Sequence, residues 1–415
     1  MLKSIVSVCL LSLARADSGA IETSKKLAPL FEASLEFYDT LQRTSKGLYR
    51  DSYLPEGDLK KNRTCSSAAV GIGLMGLCME HRLGRDDEAG AKALQTLRAL
   101  NGKVVGFAPA RDSSGFHRHF FDSENGEGTS EFSTIDTAIM VVGALYCRNT
   151  FDHPAIRREA DQLWNSIDWQ LALASQDGRR LHMTAANGKP GDRTVTQLFN
   201  EYYLLAWLIH EEAKQRGIEG SLPNLEDLPM LTRENITVLA EPRLTPQSSF
   251  TIQFPFYMSQ PGSSKVSYTS FVQNQAKLDQ RISSRLNGAD RFWGCGAGIT
   301  PDKGYLASNF DDNPGKMVSP HIIAGFLPVS PIAQVHLLKL YSDPSLRLKT
   351  PAGEILPRFS VEKPSWRPPR IESIDYASMI FGLAAIHPNL GMEFFSQGDA
   401  IYVRAPVGLN SAACL

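Results

Sequence analysis

Several helical segments of this chain are almost free of charge. Ser66 to Met79 reads SSAAVGIGLMGLCM, and Ala138 to Tyr146 reads AIMVVGALY. A helix that is apolar all round must be covered all round, so these segments belong inside a shell of other helices. Other segments are amphipathic, such as Asp86 to Leu100 with its face of Arg, Asp, Glu and Lys, and they belong at the surface. The periodicity predicts helices over 25–45, 65–83, 86–101, 133–149, 154–171, 194–216, 264–285, 329–341 and 373–386. Weaker signals cover 225–240 and 318–326. Buried and surface helices alternate along the chain. That alternation predicts an all-α fold in which an inner ring of helices is wrapped by an outer ring, an (α/α)6 toroid with long site-forming loops. No long Pro/Gly/Ser linker interrupts the rhythm, so residues 17–415 are expected to form one domain and to act as a monomer.

The first 16 residues stand apart. Lys3 provides a positive start, Ile5 to Leu13 an apolar run, and Ala14-Arg15-Ala16 an A-x-A site, the pattern of a signal peptide cleaved after Ala16. The apolar run is too short to span a bilayer, so a secreted or periplasmic protein is expected, with no membrane span. Beyond Cys9, the cysteines are Cys65, Cys78, Cys147, Cys295 and Cys414. They form no C-x-x-C pair, and most lie in apolar surroundings, as expected of buried small hydrophobes rather than a disulfide frame or metal site. A formal net charge of -1 offers no basic footprint, so nucleic acid is not an expected partner.

In a ring of helical hairpins the long loops gather at one end and build the site. Here they are 102–132, 172–193, 286–320 and 342–372, and each carries aromatics, charges or both. The densest is the approach to the apolar helix at 133–149, GFHRHFFDSENGEGTSEFSTID. His119 and Phe120 precede an acidic turn, and Glu131 and Asp136 flank the start of the helix. Ser133 with Asp136 three residues on also suits a capping box, so Asp136 has a structural reading beside a functional one. Loop 286–320 adds Trp293 and Tyr305, and loop 342–372 adds Glu362. Flat aromatics beside acids suit sugars, whose CH faces stack on rings while hydroxyls take directed hydrogen bonds. A lone loop aromatic is as readily a packing residue.

Metal-free cleavage of a glycosidic bond needs two carboxyl groups, one of them protonated near neutral pH and therefore desolvated. Two acids lie in apolar helical contexts. Glu201 sits in LFNEYYLLAW, bracketed by Tyr202 and Tyr203 and sharing a helical face with Leu204, Leu205 and Leu208. Asp375 sits in IESIDYASMIF, with Ser373 as a plausible cap and Glu372 spaced away from its face. Stabilisation by the helix dipole in a first turn is the alternative account of both.

The run GFHRHFFDSENG…EFSTIDTAIMVVGAL resembles the glycoamylase-like and endo-β-1,2-glucanase group of glycoside hydrolases. In that group an aromatic–His–Phe segment precedes a Glu-x-Ser-x-x-Asp-Thr-Ala helix. Further segments resemble it in the same order from about Cys65 to Phe395. They are Ser66 to Leu74, Gln197 to Leu205, Phe254-Pro255-Phe256 with Gln260, Phe292-Trp293-Gly294 to Gly304-Tyr305, and Ser373-Ile374-Asp375. The resemblance implies an inverting hydrolase of β-1,2-glucan, with Glu201 as general acid and Asp375 as general base. In some members that base reaches its water through a substrate hydroxyl. Two positions depart from the pattern: Leu198 stands where a Trp is usual, and Tyr376 where a Gly often follows the late Asp. The candidate sugar-binding residues are Asp136, Glu131, His119 and Phe120, with Tyr202, Trp293, Tyr305 and Glu362. No metal and no cofactor is expected. A different linkage or exo action remains open. So does a phosphorylase using Arg291, Arg367 and Arg370, a lyase using His117 or His119, or a glycan-binding protein without catalysis.

Overall fold

The computed structural model describes residues 21–59, 61–175, 177–195, 200–218, 222, 224–241, 243–259 and 267–396. The leader at 1–16, Gln197, Leu198, Gln260 and Cys414 lie outside them.

Twelve described helices follow one another. Helix α1 covers 21–36 and continues through wider turns over Phe37–Gln42. Then come α2 (Ser67–Leu83), α3 (Ala89–Leu100), α4 (Thr134–Thr150), α5 (Pro154–Asn165) and α6 (Tyr203–Gln215). The second half contributes α7 (Phe250–Met258), α8 (Tyr268–Asn287), α9 (Pro320–Gly325), α10 (Pro331–Tyr341), α11 (Ser373–Ile386) and α12 (Gly391–Phe395). Among them no helix is long and apolar enough to cross a membrane.

Six of these helices pack in a closed cycle: α2 on α4, α4 on α6, α6 on α7, α7 on α9, α9 on α11, and α11 back on α2. Most of them are apolar, though α6 carries Glu211, Glu212 and Lys214 toward its C-terminal end. Helix α2 is buried from Ser67 through Glu80, α9 throughout, and α11 at all but Ile374. The amphipathic α3 and α5 pack outside α2 and α4, while α8 backs α7 and α10 backs α9. Burial therefore follows the charge pattern of the sequence, because an uncharged helix loses least by leaving water on every side.

The tightest contacts have no side chain. A Cβ on Gly71 would lie 2.3 Å from the Ile139 carbonyl oxygen, and one on Gly143 would lie 2.2 Å from that of Gly71. Across the ring, a Cβ on Gly382 would lie 1.8 Å from the Ala324 carbonyl oxygen. Backbone thus meets backbone between α2 and α4 and between α11 and α9. The free, buried Cys78 and Cys147 bring their sulfurs to 3.4 Å on the same α2–α4 seam, and Cys65 and Cys295 are also free and buried.

Short strand pairs fix where the inner helices begin. Thr64–Ser66 pairs with Phe120–Asp122 just before α2, and Phe132–Ser133 pairs with Thr184–Ala186 just before α4. Met317–Val318 pairs with Phe359–Ser360 before α9, and Ile371–Glu372 pairs with Ser52–Tyr53 before α11. Each pair ties a long loop to a helix N-terminus, so four N-termini are anchored in the same way.

Two sequence expectations fail here. Residues 225–240 are not helical: a short 3₁₀ turn, Leu225–Asp227, leads into a hairpin of Met230–Arg233 and Ile236–Leu239. Glu234 and Asn235 take positive φ of 49° and 60° at its two-residue turn, the conformation that closes tight hairpins. Helix α6 begins at Tyr203, not near 194, because Thr194–Val195 is drawn into a pair with Leu181–His182. Helix α7 was invisible in the pattern: FTIQFPFYM is apolar without period and holds Pro255 inside.

Gly143→Ala is expected to lower the unfolding free energy by about 2 kcal/mol or more, since neither backbone can retreat. Urea unfolding measures it. A loss within about 0.5 kcal/mol would mean that α2 and α4 do not approach this closely.

Candidate active site

The N-termini of the inner helices carry the acids. At the start of α4, the Ser133 hydroxyl oxygen accepts the Asp136 N–H at 3.2 Å, and the Ser133 hydroxyl donates to Asp136 Oδ2. This is the capping arrangement, yet it leaves Asp136 Oδ1 turned to His119, whose Nε2 lies 3.6 Å away. His119 Nδ1 lies 3.0 Å from Glu131 Oε1, and the imidazole stacks on Phe120 with centroids 3.7 Å apart. One imidazole thus bridges two carboxylates. Burial raises the pKa of Asp136, while His119 and Ser133 oppose the rise.

Glu201 stands next to this group. The Asn200 side-chain oxygen accepts the Tyr202 N–H at 2.8 Å, which puts Glu201 in the turn ahead of α6 and not on its helical face as the sequence suggested. Glu201 is exposed by surface area, yet the protein around it still desolvates its carboxyl. The surrounding low-dielectric volume, rather than contact area, sets the cost of ionising it. Desolvation, with the Asp136 carboxylate second, pushes its pKa up to about 7, against a smaller opposing effect of His119. A helix N-terminus is worth about 0.3–1 kcal/mol, less than one pKa unit in favour of the anion. Desolvation shifts a carboxyl by up to ~3–5 units, and it wins here.

Asp375 sits in the first turn of α11 and is buried. The Tyr305 hydroxyl donates to Oδ1 at 3.0 Å, while Oδ2 has no hydrogen-bond partner. Burial raises the Asp375 pKa well above the usual range, followed by repulsion from Glu372; Tyr305 and Arg358 pull it down. The fully buried Asp279 makes a useful contrast. Its oxygens accept from the Cys295 N–H, Ser283 Oγ and Ser249 Oγ, so it is an internal anchor. Asp375 keeps one oxygen uncommitted. Tyr305, 46% exposed, joins the two halves, because the charges of both Asp375 and Glu201 act on its hydroxyl.

Several sequence assignments need correction. Trp293 does not face a groove: it is fully buried, stacks on Phe326 and donates Nε1–H to His336 Nδ1 at 3.0 Å. Glu362 is exposed, and no described hydrogen bond or ion pair ties it to the carboxylates of the site. Glu372, read as pointing away, is buried, pairs with Arg370 at 2.9 Å and raises Asp375. Ser373 does not cap α11; its hydroxyl donates to the Arg50 carbonyl at 2.7 Å. His117 is buried, and desolvation lowers its pKa to about 3. Tyr202 is buried beside Glu201. Of the three arginines considered for phosphate, Arg291 lies over Phe292, Arg367 donates to backbone carbonyls, and Arg370 holds Glu372.

Three residues of the neighbourhood escaped the sequence reading. Asp51 lies beside the strand that pairs with Ile371–Glu372, its pKa raised by burial. Arg358 and His321 line a small cavity together with Asp375. Asp51 and Arg358 lie in loops, and His321 opens α9; none has a local pattern. Only the fold brings them to Asp375.

This helical fold is shared with solved glycoside hydrolases of the group that the sequence resembles. The endo-β-1,2-glucanase of Chitinophaga pinensis, solved with sophorotriose and glucose, superposes with a TM-score of 0.74 at 15% identity, covering 92% of this chain and 98% of that one. A glucoamylase candidate from Bacteroides caccae gives 0.74 at 17% identity with the same coverage. The β-1,2-glucanase of Parabacteroides distasonis gives 0.71 at 17%, covering 92% of this chain and 59% of that one. No protein-family model and no curated relative matches the sequence.

Trp293→Ala is expected to destabilise the fold by about 3–5 kcal/mol, the cost of a large buried aromatic, and to leave KM unchanged in the folded fraction. Urea unfolding and kinetics separate the two. A raised KM with normal stability would return Trp293 to the substrate groove.

Proposed function

We propose that this chain is a glycoside hydrolase of β-glucan, an (α/α)6 toroid acting as an inverting endo-β-1,2-glucanase. The observation that carries the reading is a pair of desolvated carboxyl groups with different partners. Desolvation pushes the pKa of the Glu201 carboxyl up to about 7. Asp375 presents a buried carboxyl held by Tyr305 on one oxygen only. The cycle of six buried helices supports the toroid, and solved β-1,2-glucanases of this fold support the linkage.

In this mechanism Glu201 gives its proton to the glycosidic oxygen as the C1–O bond breaks. Water adds to C1 from the opposite face, and Asp375 takes its proton, directly or through a sugar hydroxyl. Inversion requires room for that water, with carboxyl groups roughly 6.5–9.5 Å apart. Glu201 and Asp375 precede or begin α6 and α11, which are not neighbours in the cycle of contacts, and this separation favours room over contact. His119, with Glu131 and Asp136, offers a charged rim for sugar hydroxyls, and Phe120 backs the imidazole. With the 1–16 leader read as a signal peptide, the enzyme would meet its polymer outside the cytoplasm.

Glu201→Gln is expected to lower kcat on linear β-1,2-glucan by at least about 10²-fold while folding and glucan affinity persist. Near wild-type activity removes Glu201 from the mechanism. The wild-type rate is expected to fall as pH rises through about 7, where Glu201 loses its proton. The acid limb follows Asp375 and is expected above the ordinary aspartate range, because burial raises that group. A pH–rate profile flat from 6 to 9 contradicts the assignment of Glu201. Products from β-1,2-, β-1,3- and β-1,4-glucans decide the linkage.

A further inference from the structure

A cavity of about 20 Å³ adjoins Asp375. Its walls include Asp375, Glu372, Arg370, Arg358 and His321. Three buried polar groups at this cavity have atoms without hydrogen-bond partners: Asp375 Oδ2, His321 Nε2, and Nε, Nη1 and Nη2 of Arg358. Arg358 is 5% exposed. A buried guanidinium without any compensating group is costly, so its counter-charge must come from what lines the same space. The volume suits a single water, which needs roughly 10–15 Å³, and is far too small for a sugar ring.

The charges around Asp375 can be counted element by element. Glu372, just before α11, and Asp51, from the paired N-terminal segment, both oppose its ionisation. Arg370 is occupied by Glu372 at 2.9 Å. Tyr38, which donates to the Ser373 carbonyl, and Tyr305 are neutral hydroxyls. His321, from α9, is neutral too, since burial and the Arg358 charge lower its pKa to about 3. That leaves Arg358 as the cation for Asp375 among the described residues. An arginine keeps its charge at every working pH, so it is a fixed counter-charge rather than a titrating one. Its place is built in: a Cβ on Gly298, at φ +136°, would lie 2.6 Å from Arg358 Nη1, so only glycine there lets the guanidinium lie against the backbone.

We infer that Arg358 is the positioning residue of the base, holding Asp375 Oδ2 across the water-sized cavity while Tyr305 holds Oδ1. The pair fixes the orientation of the carboxylate and favours its ionised form against Glu372 and Asp51. This rests on the role proposed for Asp375, but the pairing itself can be tested without it.

The kinetic test compares wild type with Arg358→Met and Arg358→Lys on linear β-1,2-glucan across pH. For Arg358→Met the acid limb of kcat is expected to move up by about one pH unit or more, with kcat at pH 6 down about tenfold and KM little changed. Arg358→Lys is expected to recover much of the limb. An unmoved limb, or a raised KM at unchanged kcat, overturns the inference; the second outcome would make Arg358 a sugar ligand. The other test is a urea-unfolding cycle of Arg358→Gln, Asp375→Asn and the double variant, which removes the charge at both ends and stays readable if Arg358→Met does not fold. The two changes are expected to be non-additive by about tenfold or more in the unfolding constant, and additivity contradicts the pairing. If the wild type cleaves none of the glucans, the proposed function fails, and the cycle still judges Arg358.

Discussion

The close approach of backbone to backbone inside the helical cycle is the constraint on which the rest depends. Gly71 and Gly143 let α2 and α4 touch without side chains between them, and Gly382 does the same for α11 against Ala324 of α9. Helices this close leave no room for charge along their lengths. Polar groups are therefore pushed to the ends, where the loops arrive. The strand pairs before α2, α4, α9 and α11 then decide which loop residues meet there. Site and core are two consequences of one packing arrangement.

At those ends two effects compete over every carboxyl group. The helix N-terminus favours the anion, and desolvation favours the acid. Asp136, Asp375 and Glu201 all have raised pKa values, with burial the first cause in each. The dipole is too weak, at about 0.3–1 kcal/mol, to reverse this. What differs among the three is the partner. Asp136 has Ser133 and His119, Asp375 has Tyr305 and the Arg358 charge, and Glu201 has only the distant help of His119. Glu201, with the fewest partners, keeps its proton to a higher pH than an ordinary glutamate.

Much of this was legible in the residues. The uncharged runs at Ser66 to Met79 and Ala138 to Tyr146 do become buried helices of the cycle, and the amphipathic Asp86 to Leu100 lies outside it. Helix α7 was not legible, because apolar content without period does not distinguish helix from strand, and the hairpin at 230–239 was read as a weak helix. The site divides similarly. His119, Glu131 and Asp136 lie close in sequence, and their meeting follows from one loop turning into one helix. Trp293 failed as a groove residue because an aromatic in a loop says nothing about which way the loop turns. Arg358 and Asp51 reach Asp375 from elsewhere in the chain, and only tertiary packing brings them there.

The central claim is that Glu201 and Asp375 act from opposite faces of one bond with a water between them. Proton NMR of freshly cleaved linear β-1,2-glucan, recorded before mutarotation, tests it most directly. Inversion at a β-linkage must give the α-anomer at the new reducing end first. An initial β-anomer would mean a covalent intermediate and carboxyl groups roughly 5–5.5 Å apart, and Asp375 could not then be acting as the base.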